Sequence, residues 1–115
     1  MRIKKGVSTL GLKPEIVCIF PVVDTIFRGV TDGYIGAILT CGTDGKHTAK
    51  YSEHYKGYAT DWRIRHLSNL TINGKKPKEL IRLIVYELKS ALTDDYNVIL
   101  HKTHIHISFK PTRGT

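Results

Sequence analysis

A chain of 115 residues can form one domain around one core and is too short for two. Hydrophobic residues at 41% and charged residues at 24% exclude a disordered or fibrous chain, and no apolar run nears the roughly 20 residues a bilayer span requires. Lysine and arginine number 18 against 10 acids, a formal charge of +8, which attracts polyanions without choosing among nucleic acid, anionic lipid and acidic polymer.

Residues 1–12 read as a basic flexible lead and 13–112 as the single domain. Pro14 and Glu15 suit a helix start, proline in the first turn and the acid at the positive dipole end. Val17, Phe20, Val23 and Phe27 recur at helical spacing to about Arg28, where Gly29 can end the helix. Pro21 within this run predicts a kink or two short helices. Tyr34 to Cys41 predicts a buried strand, Gly42 to Glu53 a loop, and Gly57 to Ile64 a second strand. Ser68 to Lys76 is turn-rich, with Asn73-Gly74 its strongest signal.

Pro77 to Thr93 is the clearest helix, with Leu80, Ile84, Leu88 and Ala91 forming one apolar stripe. Asn97 to His101 and Thr103 to Phe109 are two strands too close in sequence to pair except as a hairpin. The fold class expected is α+β: a small, largely antiparallel sheet with helices packed on one side. Cys18 and Cys41 form no CxxC and no disulfide framework, and read as small buried thiols in a reducing compartment. No signal-peptide cleavage pattern follows the apolar stretch Ile16 to Val23, so the expected location is the cytoplasm of the producing cell.

Two stretches carry chemistry. The first runs from Ser52 to Asp61, with His54 seven residues ahead of Asp61. If Gly57, Ala59 and Asp61 share a strand face, that face is free of bulk beside the carboxylate. The second is His104-Ile105-His106. Strand alternation puts both imidazoles and Ser108 on one face, and Ile105, Ile107 and Phe109 on the core face. Two imidazoles and one carboxylate are the ligand set of a catalytic zinc with a fourth position for water. His54, Asp61 and one histidine of the pair would supply it, leaving the other to take or hold a proton.

The pattern Ser-x-His-x-x-Gly-x-Ala-x-Asp at 52–61, followed late by His-x-His at 104–106, resembles the D-alanyl-D-alanine carboxypeptidase family of zinc peptidases. That family shares its fold with lysostaphin-type peptidases and the hedgehog signalling domain. Thr40 to His47 also resembles the strand and loop ahead of the motif in small phage-encoded members. The resemblance extends from about Pro14 to Pro111. It implies zinc held by His54, Asp61 and His106, with His104 assisting the water or the tetrahedral intermediate and Ser52 beside the substrate. Relatives often carry a catalytic glutamate shortly before the last ligand. Here Thr103 and His101 hold those places, so proton transfer falls to His104 or His101.

The resemblance further implies a peptidoglycan stem peptide as substrate, cut by a D,D-carboxypeptidase or endolysin-type endopeptidase at the bacterial cell wall, with small size suggesting a phage source. Lys46, Lys56 and Arg63 are candidates to pair with a substrate carboxylate, and Tyr55 and Tyr58 to border the groove. His47 is assigned to a polar loop and Trp62, on the face opposite Asp61, to the core. The basic surface suits anionic wall polymer, no membrane span is expected, and the chain is expected to be a monomer. Two rivals stand beside this reading. One is a His-hydrophobic-His nuclease for single-stranded DNA, against which only nine residues follow His106 and none is tyrosine. The other is a zinc-binding module of the same fold without hydrolysis.

Overall fold

The computed structural model describes residues 1–43 and 56–110. They form β1 (Arg2–Ile3), α1 (Pro14–Val17), α2 (Phe20–Val30), β2 (Ile38–Cys41), β3 (Ala59–Arg63), a 3-10 turn (Arg65–Leu67), α3 (Pro77–Ala91), β4 (Tyr96–Leu100) and β5 (His104–Phe109). The result is a compact α+β fold with one five-stranded sheet in the order β1-β2-β3-β5-β4. The sheet is mixed: β1 runs parallel to β2, and the other neighbours are antiparallel. The β1 strand lies within the basic lead, which thus contributes an edge to the sheet. Its Arg2 N–H donates to Ala37 O, and Lys4 N–H to Leu39 O, both at 2.9 Å.

Proline decides the start of each longer helix. Pro21 ends α1 and opens α2 instead of kinking a continuous helix, because its ring is tolerated only in a first turn. The break rotates the apolar phase. Ile16 and Ile19 are buried where Val17 was expected, and Val17 is 46% exposed. Gly29 lies inside α2, which runs on to Val30. The same break turns Cys18 to solvent, against the expected buried thiol, with its Sγ donating to Glu15 O at 3.3 Å. Pro77 opens α3, and Glu79 in that first turn faces the positive dipole end. Asn73 (φ 51°) and Gly74 (φ 78°) close a tight turn between Ile72 and Lys75, the pair of positive φ values a two-residue hairpin turn requires.

Both long helices cover one face of the sheet. Val23 and Phe27 of α2 and Ile84 and Leu88 of α3 pack with Trp62, Ile105 and Ile107. Trp62 is fully buried, its edge met by the Phe20 ring at 5.3 Å between centroids, and its indole N–H donates to Thr60 Oγ1 at 2.9 Å. A buried indole needs that acceptor, since an unpaired N–H would offset part of the gain from burying the ring. Strand alternation then sends Asp61, between Thr60 and Trp62, to the opposite face. That face carries the chemistry.

Candidate functional site

Register brings the polar residues together. Asp61 and His106 are direct partners across β3 and β5, Arg63 partners His104, and Ala59 partners Ser108. On the far side of β5, Ile99 partners His106 and Asn97 partners Ser108. Partners on antiparallel strands project to the same side, so Asp61, Arg63, His104, His106, Asn97 and Ile99 share the face turned away from the helices. The expected division of the last strand is observed: Ile105 and Ile107 are fully buried in the core, while His104 and His106 are half-buried on the other side.

Asp61 Oδ1 is the focus. His106 Nδ1 lies 2.9 Å from it and His104 Nε2 3.7 Å from it. The Thr103 hydroxyl is 3.0 Å from His104 Nδ1, which orients that ring with Nε2 towards the carboxylate. His101, at the β4–β5 turn, places its ring 4.8 Å from that of His104 and 6.0 Å from that of His106. Two imidazoles therefore approach one carboxylate that is 9% exposed, and the ring of His101 neighbours both of them. The Asp61 backbone is held as well, since Thr40 Oγ1 donates to its carbonyl at 3.2 Å.

The floor beside the carboxylate differs from the expectation of an open surface. Ala59 is fully buried and Ser108 is 3% exposed, so that end of the face is covered. His101, Lys102 and Thr103 are exposed, and His104 is partly so. Among the described residues, the Asp61–His106 pair is approached from the end that holds Arg63, His104 and His101. Gly57 does not extend the strand. Its φ is +82°, and a Cβ there would strike the Gly11 carbonyl oxygen. The glycine of the motif is thus needed for close passage of two backbones, joined by Lys13 N–H donating to Gly57 O at 3.0 Å.

A four-coordinate metal with ligand bonds of about 2.0–2.1 Å separates adjacent donor atoms by roughly 3.3 Å. Asp61 Oδ1 and His106 Nδ1 are 2.9 Å apart, shorter than that spacing by about 0.4 Å, so the two could serve as ligands if the contact opened. Without metal the same approach is a hydrogen bond in which Nδ1–H donates, and a metal would replace that proton. Among the described residues, no group of three or more potential ligand side chains is arranged to hold a metal. The third expected ligand, His54, lies outside the described residues, as do Lys46, His47, Ser52 and Tyr55.

Cys41 was missed as a neighbour of the site. A bulge between Leu39 and Cys41 pairs Leu39 with Trp62 but Cys41 with Asp61, so β2 changes phase within two residues. Simple alternation carries no sign of it. A cleft of about 510 Å³ lies elsewhere, between α2 and α3, bordered by Thr25, Gly29, Lys75, Leu83 and Glu87. It includes none of the acid-base side chains around Asp61. No protein-family model, curated protein or solved structure matches this chain.

Proposed function

We propose that this protein is a zinc-dependent peptidase of the D-alanyl-D-alanine carboxypeptidase type, with the hedgehog-like fold of that family, acting on peptidoglycan stem peptides. The observation that supports the reading is the 2.9 Å approach of Asp61 Oδ1 to His106 Nδ1, two residues assigned as ligands of one ion and distant in sequence. His54 would be the third ligand. Zinc bound there would supply Lewis acidity and a water acidified towards neutral pH.

The rest of the chemistry falls to the chain. With Asp61 and His106 engaged as ligands, His104 is the ring placed to hold or move a proton, its Nδ1 braced by Thr103. His101, whose ring lies tilted 4.8 Å from that of His104, directly follows β4 and holds one of the places where the resemblance puts a glutamate. Arg63, the cross-strand partner of His104, would pair with a substrate carboxylate at that end of the face. The charge of +8 would hold the enzyme near anionic wall polymer.

The deciding experiment combines metal analysis of the purified protein with digestion of purified peptidoglycan and assay of released D-alanine. One equivalent of zinc with hydrolysis supports the proposal. Zinc without hydrolysis leaves the binding module, and nicking of single-stranded DNA without peptide cleavage leaves the nuclease.

A further inference from the structure

The sheet has two outer strands. At one edge β1 offers two residues, whereas β4 offers five. The direction of each β4 backbone group follows from its ladder with β5. His101 N–H donates to His104 O at 2.9 Å, and Lys110 N–H donates to Asp95 O at 2.7 Å. Odd-numbered residues of β4 therefore point their N–H and C=O groups at β5, and Tyr96, Val98 and Leu100 point theirs outward. Of the outward groups, only the Tyr96 N–H has a partner among the described residues, the Thr93 carbonyl at 3.0 Å.

Among the described residues, this edge lacks the devices that usually blunt one. It contains no proline and no charged residue, and Ile99 and Leu100 are each 46% exposed. Its flanks carry opposite charge, with Asp94 and Asp95 before the strand and Lys102 after it. A strand acidic at one end and basic at the other is complementary to its own antiparallel copy.

We propose that two copies of this chain pair antiparallel through the outer edges of β4, about a two-fold axis at Val98, to form one continuous sheet. Centring on Val98 makes it a hydrogen-bonded pair, since its N–H and C=O both point outward. Each Val98 N–H donates to the Val98 carbonyl of the other copy, and each Leu100 N–H to the other copy's Tyr96 carbonyl. The same register lays Leu100 against Tyr96 and Ile99 against Asn97. It brings the acidic flank of each copy to the basic flank of the other. The interface is isologous and closes at two copies, because the remaining edge is β1.

Sedimentation equilibrium on the full chain, from low micromolar to near-millimolar concentration, tests this arrangement. A reversible monomer–dimer equilibrium without larger species is expected. Leu100→Pro removes an N–H that points away from β5, so the protomer keeps its ladder bonds and the dimer is lost. Lys102→Asp sets acid against acid at both ends and is expected to weaken association roughly tenfold, and adding Asp94→Lys restores it. Far-ultraviolet circular dichroism confirms that each variant is folded. If Leu100→Pro fails to fold, the charge reversal and its rescue decide alone. A chain that stays monomeric throughout, forms open-ended oligomers, or associates regardless of these substitutions overturns the proposal.

Discussion

Asp61 and His106 stand 45 residues apart in sequence and 2.9 Å apart in space, as direct partners across the β3–β5 ladder. Their meeting depends on the antiparallel register of two strands whose other faces are locked in the core by Trp62, Ile105 and Ile107. A slip of one residue would turn Asp61 into the core, at a large desolvation cost, so the apolar face enforces the polar one. Asp61→Ala and His106→Ala are expected to abolish stoichiometric zinc binding while the protein stays folded, as measured by metal analysis after dialysis. His54→Ala is expected to do the same. Full zinc retention in either of the first two variants would end the assignment.

His104→Ala separates holding the metal from using it. The ring is 3.7 Å from Asp61 Oδ1, farther than His106, and Thr103 orients it. Zinc content should be unchanged and turnover on peptidoglycan peptides should fall about 10²–10⁴-fold, the usual contribution of an acid-base group. Unchanged turnover would remove the role.

His66 gives a prediction independent of the site. Burial lowers its pKa below the ordinary 6.5; the Gly36 carbonyl, 3.2 Å from Nε2, acts in the opposite sense, and Arg63 and Arg2 add to the lowering. The unfolded chain therefore takes up this proton first as pH falls. Stability contributed by neutral His66 is complete above the unfolded pKa and declines from about pH 7 down to the lowered folded pKa. Urea-unfolding midpoints should fall over that range, and His66→Gln should flatten the part due to this ring. An identical pH profile in the variant would contradict the assignment.

Gly57 and Trp62 predict stability losses of different origin. Gly57→Ala forces a side chain onto the Gly11 carbonyl at a positive φ, and strain of this kind costs on the order of 1–3 kcal/mol. Trp62→Ala empties the largest buried side chain and should cost about 3–5 kcal/mol. Denaturant titration of both variants checks the values, and a loss below 1 kcal/mol at Trp62, where partial collapse would limit it, would show that the core repacks.

Local signals were strong where local physics dominates. The α3 stripe over Leu80, Ile84 and Leu88 (though not its expected fourth member Ala91, which is exposed), the Asn73-Gly74 turn, the final hairpin and the division of 104–109 into polar and apolar faces could be read from spacing, because periodicity and turn chemistry act over a few residues. The α1–α2 break at Pro21 was foreseen as one of two outcomes, whereas the identity of the buried residues around it was not, since the break itself resets the helical phase.

The sequence alone therefore determined the residue types able to do chemistry, their strand faces, and an α+β class with a hairpin at its end. Tertiary structure decided that β5 inserts between β3 and β4, that Arg2–Ile3 add a parallel edge, that a bulge brings Cys41 opposite Asp61, and that the face beside Ala59 is covered. These depend on long-range pairing, whose energy comes from contacts between segments tens of residues apart. No local pattern records which strand will become another's neighbour.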